Sequence, residues 1–293
     1  MDNNTINNVY HDQSGYGSIQ KTYEEAREKY NSITLKNVRD WFAQNVERKK
    51  QLKGYNSFIN DGAHEEYQVD LAFFKAKEEI QIGLVLIDIF SKYATVIPIA
   101  SKETPDVLAG MMEGFQKMGG KPKCIYSDNE GALGSNLFAE FCEEHKIKLI
   151  TTRTHAWVAE RFIRTLKNAI NNRIEGTEKT WKDVLFEVLL TYNKKDVHTS
   201  TGLTPAEAKL DKNRLQTKLN LELHRISKRK YPNVDVGDEV KLYKKKGRFD
   251  KEHVSVWLPH THEVALITQS MGQKFYHISG HAKPFLRHEI LKV

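Results

Sequence analysis

The stretch YQVDLAFF, residues 67–74, places an acidic side chain in the middle of a strand-like apolar run. A carboxylate at Asp70 costs desolvation energy in such surroundings unless it is paired or binds a metal ion. The apolar run IQIGLVLIDIF (80–90) follows, and KYATVIPIA (92–100) comes after a short turn. The three segments predict a meander of three strands that carries Asp70 near its centre.

Helical and strand-like segments then alternate as far as residue 194. The predicted order is a helix over 104–118, a strand over 123–128, a helix over 137–145, a strand over 148–153, and helices over 157–174 and 180–194. Three strands followed by alternating elements are typical of an α/β fold with a mixed five-stranded sheet and helices on both faces.

Two flanking pieces are expected around this core. Residues 1–17 are rich in Asn, Gly and Ser and predict a flexible tail. Two amphipathic helices separated by a turn, with Thr34 as an N-cap, then predict a helix-turn-helix-like domain over 18–55. A small helical adaptor without DNA contact is the alternative interpretation of that pair.

After the core, 211–232 is helical and charge-rich and predicts a basic linker. Short strands separated by Gly, Pro and Lys over 233–293 predict a small β-barrel. One hairpin of this region is strongly basic and favours contacts to a DNA backbone, with a charged hairpin of no role as the alternative. Its candidate DNA-binding residues are Lys244, Lys245, Lys246 and Arg248.

The overall composition favours a polyanionic partner. Lys and Arg number 45 against 38 Asp and Glu, which gives a formal net charge of +7. Only Cys124 and Cys142 are present, too few for a disulfide framework. No apolar run approaches the ~20 residues that span a bilayer. We therefore expect an intracellular protein with no membrane partner, and no sequence signal marks a nuclear location.

Two further carboxylates can join Asp70 at one edge of the sheet. Asp128 ends the fourth strand, and Glu160 lies in the first turns of the following long helix. Taken alone, Asp128 could form a turn and Glu160 could favour a helix N-terminus. Taken together, the three carboxylates come from two strands and a helix and could converge at one edge of the sheet, where oxygen ligands would suit a metal ion.

Three carboxylates suit phosphodiester chemistry. Mg²⁺ takes hard oxygen ligands and keeps several waters, so few protein ligands suffice. Two such ions about 4 Å apart can stabilise both the attacking and the leaving oxygen of an in-line displacement. On the same helix, Arg164 and Lys167 share a face with Glu160 and are candidate DNA-phosphate contacts. An ordinary solvated helix face is the alternative for these two residues.

Four motifs occur in an order that resembles the catalytic core of retroviral-type integrases, over roughly residues 62–210. They are YQVDL, IYSDNEG, TTRTHAWVAERFIRTLKN and YNKKDVHTSTGLTPAEA. The residues of the third motif are most similar to integrases of Maverick/Polinton-type elements and virophages, and so is the upstream block YGSIQKTYEEA. The segment VGDEVKLYKKKGRFDK resembles the SH3-like or chromo-like end domain of such proteins.

This resemblance implies an RNase H-like core that uses two Mg²⁺ or Mn²⁺ ions held by Asp70, Asp128 and Glu160. It implies 3′-end processing and strand transfer of element ends into target DNA by a homo-oligomer, a dimer or tetramer. The chain departs from the retroviral pattern in two ways that concern the ligands. The segment between Asp128 and Glu160 is shorter than in the retroviral relatives, and Glu130 is an alternative to Glu160 as the third ligand. A cut-and-paste transposase and a domesticated, non-catalytic DNA-binding protein remain alternatives, and a chromatin partner for the end domain is left open.

Overall fold

The structure is a computed structural model that describes residues 2–12, 15–46, 59–76, 79–128, 131–152, 156–226, 232–244, 256–270 and 272–293. The chain divides into two units, Met1–Leu52 and Lys53–Val293. No helix within the described segments is long and apolar enough to cross a lipid bilayer.

The N-terminal unit contains three helices: α1 (Asp2–Tyr10), α2 (Ile19–Lys29) and α3 (Leu35–Asn45). Thr34 caps α3 as predicted, because its side chain accepts from the amide of Asn37. Helix α1 corrects the expectation of a flexible tail over 1–17, since its Ile6 is fully buried against the other helices. The helix-turn-helix assignment stays a prediction.

The central sheet has five strands, which confirms the predicted mixed sheet. They are β1 (Glu66–Ala76), β2 (Glu79–Asp88), β3 (Ala94–Ile99), β4 (Cys124–Asp128) and β5 (Lys148–Thr152). Their order in space is β3-β2-β1-β4-β5. The first three strands pair antiparallel as a meander, whereas β4 lies parallel to β1 and β5 lies parallel to β4.

Helices cover both faces of this sheet because successive residues of a strand point to opposite sides. The first face packs against α4 (Thr104–Met118) and α5 (Asn136–Glu144) and includes Val69 of β1. The second packs against α6 (Trp157–Ile174) and α7 (Trp181–Lys194) and includes Ala72 of β1. Odd and even positions of β1 therefore face different helix layers.

Two short helical segments connect the core to a second sheet: α8 (Pro205–Ala208) and α9 (Arg214–Ile226). The second sheet contains β6 (Glu239–Tyr243), β7 (Trp257–Ser270), β8 (Gln273–Ile278) and β9 (Ile290–Lys292). Its strand order is β8-β7-β6-β9. The described strands thus form a half-barrel, which is consistent with the SH3-like character of the small β-barrel predicted from sequence.

Candidate active site

Asp70 and Asp128 occupy neighbouring positions on parallel strands. The register pairs Val69 of β1 with Ser127 of β4, so the next residue of each strand is an aspartate. Both carboxylates are partly exposed. Ala72 and Tyr126 pack in the hydrophobic cluster that includes α6. Because side chains alternate along a strand, Asp70 lies on the same face as Ala72, and Asp128 lies on the same face as Tyr126. Two acidic side chains therefore lie on the α6 side of the sheet.

Gln68 fixes the start of α6 beside these aspartates. Its Oε1 atom accepts hydrogen bonds from the backbone amides of Val158 at 2.9 Å and Ala159 at 3.2 Å. The N-cap residue of α6, Ala156, has no side-chain acceptor, so Gln68 satisfies amides that a helix start leaves unpaired. Glu160 lies in this first helical turn, next to residues that β1 holds directly.

We expect Gln68→Met to lower the free energy of unfolding by on the order of 2 kcal/mol, because two buried amides of α6 lose their acceptor. Gln116→Met, at an exposed position of α4, is the matched control and should unfold like the wild type. Urea unfolding of both variants measures the difference. An unchanged free energy of unfolding for Gln68→Met would show that the amide bonds are not what holds α6.

The three predicted ligands are not drawn into one cluster in the structure. No group of three His, Cys, Asp or Glu side chains within the described residues could hold a metal ion as placed. Asp70 Oδ1 instead accepts from the amide of Leu71 at 2.7 Å. Glu130, the rival ligand, lies outside the described residues. The metal-ligand assignment of Asp70, Asp128 and Glu160 therefore stays a prediction.

The predicted DNA-binding residues divide into two groups. Arg164 is exposed on α6, whereas Lys167 is half-buried with its Nζ atom 5.9 Å from the ring centre of Phe74. Phe74 in turn stacks on Trp181 at 4.2 Å, which gives Lys167 a packing role besides any role with DNA. Lys244 is exposed after β6. The other three predicted residues of this hairpin, Lys245, Lys246 and Arg248, lie outside the described residues.

The chain's C-terminal segment reaches the strand that flanks Asp128. Thr152, which pairs with Asp128 in the β4–β5 register, donates its hydroxyl to Glu289 Oε1 at 2.8 Å. His288 Nε2 lies 3.3 Å from the same hydroxyl and 3.4 Å from the hydroxyl of Tyr126. Glu289 is fully buried. A carboxylate and an imidazole from the half-barrel side thus support the strand ends of the candidate site.

A second group of ionisable residues lies at the other end of β1 and was missed by sequence reasoning. Burial raises the pKa of Glu66 to about 8 and also raises the pKa of Asp88. Burial likewise lowers the pKa of Lys92 to about 8. Asp88 is held by the amides of His64 and Phe90, at 2.9 and 2.8 Å. These contacts tie the β2–β3 turn to the start of β1.

The free energy of unfolding should fall as pH rises from 4.5 to about 8, the window between the ordinary and the folded pKa of Glu66. In this window the folded chain binds more protons than the unfolded chain, so raising the pH favours unfolding. Glu66→Gln should flatten the dependence, with a residual slope from Asp88. Denaturant unfolding at both ends of the window tests this, with exposed Glu79→Gln as the control. A slope that Glu66→Gln leaves unchanged would refute the assignment.

Comparison with known proteins finds a family model and relatives that match part of the chain. Residues 61–156 match the family model described as Integrase core domain. The chain is also 30% identical over 148 residues to the Retrovirus-related Pol polyprotein from transposon 297 of Drosophila melanogaster. That match covers 49% of this chain and 13% of the polyprotein, so the chain spans only a small part of this relative's length.

Solved structures show the same fold over a larger part of the chain. A simian T-cell lymphotropic virus intasome, in complex with PP2A regulatory subunit B56 gamma, aligns with a TM-score of 0.61 and 16% identity. The alignment covers 94% of this chain and 99% of that chain. The HTLV-2 integrase catalytic core domain in complex with magnesium aligns at 0.46 and 23% identity, over 53% of this chain and all of its own. The fold that the alignment with the intasome chain shows is therefore integrase-like.

Proposed function

We propose that the chain is a DNA integrase of a mobile element that joins element ends to target DNA by metal-dependent phosphodiester chemistry. The observation that carries the proposal is the side-by-side placement of Asp70 and Asp128 on parallel strands, inside the region that matches the integrase core domain. The first turn of α6, which includes Glu160, is held on the same sheet by Gln68.

The donor set fits a divalent cation. Partly exposed carboxylates at Asp70, Asp128 and Glu160 offer hard oxygen ligands of the kind that Mg²⁺ and Mn²⁺ take. Like-charged carboxylates repel one another, and a bound cation would offset that repulsion. Two ions per site would supply the activation of the attacking and leaving oxygens during end processing and strand transfer.

The rest of the chain supplies DNA affinity in this proposal. The net charge of +7 attracts a polyanion, and Arg164, Lys167 and Lys244 with its basic neighbours would contact phosphates. Joining two element ends together requires at least two active sites, so the active form would be a homo-oligomer, a dimer or tetramer. The substrate would be double-stranded DNA inside the cell, in the nucleus or where element DNA is present. The origin in a Maverick/Polinton-type element is part of the same proposal.

A strand-transfer assay with oligonucleotide ends and Mg²⁺ or Mn²⁺ tests the proposal. The substitution is made at Glu160, the proposed ligand with the least support. We expect the wild-type chain to join DNA and Glu160→Gln to lose this activity while DNA binding persists. Glu187→Gln, an exposed glutamate on α7, is the matched control. If Glu160→Gln joins DNA as well as the wild type does, Glu160 is not the third metal ligand. Glu130 is then the first residue to examine.

The same assay separates the competing functions. Tight DNA binding by a wild-type chain that never joins DNA in either metal would favour a domesticated DNA-binding protein over an integrase. Cleavage of both strands at each element end would favour a cut-and-paste transposase. The presence of all three acids, Asp70, Asp128 and Glu160, argues against the domesticated alternative, because a protein that only binds DNA has no need of this metal-ligand set.

A further inference from the structure

A cavity of about 530 Å³ lies on the α6 side of the sheet and has no part in the chemistry proposed above. Its walls come from the ends of β2, the first turns of α6, the C-terminal half of α7 with the loop that follows it, and α9. The volume lies within the range of sites that enclose a small molecule.

The wall of this cavity is rich in positive charge. Lys92, Arg161, His198 and His224 line it, against one acidic side chain, Asp196. Burial, together with the charges of Lys92, Arg161 and His224, lowers the pKa of His198 to about 4, so this ring is a neutral hydrogen-bonding group near pH 7. Two cationic side chains from different parts of the fold, Lys92 after β2 and Arg161 of α6, therefore line one partly open cavity, where they favour an anion.

A buried hydrogen-bond donor also lines the cavity without a partner. Asn60 is 5% exposed, and its Nδ2 atom has no hydrogen-bond partner among the residues that the structure describes. Buried polar groups are nearly always paired, and an unpaired donor costs about 1–3 kcal/mol. A hydrogen-bond acceptor on a ligand would pair with the Nδ2 atom of Asn60. If that ligand is an anion, it would also be attracted by the basic side chains of the cavity.

The remaining wall is aromatic and apolar. Trp157, Phe162 and Tyr192 line the cavity, and the rings of Phe162 and Tyr192 lie 4.8 Å apart. The hydroxyl of Tyr192 donates to the carbonyl of Lys92 at 3.1 Å, which joins the aromatic wall to the basic one. Aromatic faces beside cations suit a planar ring that carries an anionic group.

We propose that this cavity binds a nucleotide, with its base against the aromatic wall and its phosphate against Lys92, Arg161 and the amide of Asn60. The nucleotide is either free or an unpaired nucleotide at the end of a DNA strand. The residues that line the cavity do not include Asp70, Asp128 or Glu160, and nucleotide binding there does not require strand transfer to be the function.

Isothermal titration of the full chain with deoxyadenosine monophosphate, without metal, tests the proposal. We expect deoxyadenosine and inorganic phosphate each to bind at least about tenfold more weakly, since each lacks one half of the ligand. If the bound nucleotide belongs to the end of a DNA strand, duplex DNA with a single-stranded adenine overhang should compete with deoxyadenosine monophosphate better than blunt duplex does. Equal competition by both duplexes would leave the free nucleotide as the ligand.

Variants locate the binding in the cavity. Lys92→Met should weaken nucleotide binding at least about tenfold, because a charge-assisted hydrogen bond to phosphate is lost. Lys194→Met, on the exposed end of α7, removes the same charge outside the cavity and should bind as the wild type does.

Thr165→Trp is a second test that does not depend on how well the Lys92→Met variant folds. Thr165 is exposed on α6 and lines the cavity, so an indole there should block the site while leaving the buried groups in place. Asp128→Asn should keep nucleotide binding, which separates this site from the proposed function. No binding by the wild type, or unchanged binding by Thr165→Trp, would overturn the proposal, as would deoxyadenosine binding as tightly as the nucleotide.

Discussion

Asp128→Asn is expected to abolish DNA joining while the chain keeps its fold and its affinity for DNA. The substitution preserves the size of the side chain and removes the charged oxygen that would hold a divalent ion. Metal assistance to phosphodiester chemistry contributes several kcal/mol, so the rate should fall at least about a thousandfold. The measurement is the initial rate of strand transfer with oligonucleotide ends in Mg²⁺ and in Mn²⁺.

Two companion variants make this result specific. Asp70→Asn, at the neighbouring position on β1, should show a loss of the same size, because both aspartates would serve the same ions. Asp211→Asn changes an exposed aspartate between α8 and α9 and should leave the rate unaltered. Normal joining by Asp128→Asn, with unaltered thermal unfolding, would remove this residue from the catalytic site.

The sequence predicts the central sheet well because its strands are long apolar runs. Residues 80–90 are almost continuously apolar, and the corresponding β2 is buried between two helix layers at its C-terminal half. The helix predicted over 157–174 has the same bounds as α6. Such elements carry their burial pattern in the local sequence, so the tertiary structure adds little to their prediction.

Helix α1 was missed for the opposite reason. Its nine residues are mostly Asn, Asp and Thr, which are weak helix formers and common in flexible tails. Its stability comes from Ile6 and Val9, which are buried against α2 and α3. Two apolar residues three positions apart predict little by themselves, because their partners come from elsewhere in the unit.

The candidate site was predicted in part. The sequence analysis places Asp70 and Asp128 at one edge of the sheet, whereas their side-by-side placement depends on the pairing of β1 with β4, which only the structure shows. Gln68 could not be identified, because its partner Val158 is 90 positions away and a glutamine in a strand has no local signature. The contact between Thr152 and Glu289 spans 137 positions and is equally invisible in the sequence.

Glu289→Ala is expected to lower the free energy of unfolding by on the order of 3 kcal/mol, because two buried donors lose a charged acceptor. Glu289 Oε1 accepts from the hydroxyl of Thr152 at 2.8 Å, and Oε2 accepts from the amide of Leu286 at 3.0 Å. Leu286 is itself part of the core cluster packed on the central sheet. Loss of the carboxylate should therefore loosen the attachment of the C-terminal segment to β5.

Thermal and urea unfolding measure the effect, and Glu289→Gln serves as the graded variant. An amide oxygen can still accept one of the two bonds, so the loss should be smaller than for alanine. Glu239→Ala, at an exposed position of β6, should leave unfolding unchanged. If Glu289→Ala unfolds like the wild type, the segment is held by Leu286 packing alone. Because Thr152 pairs with Asp128, the alanine variant should also join DNA more slowly at temperatures where it remains folded.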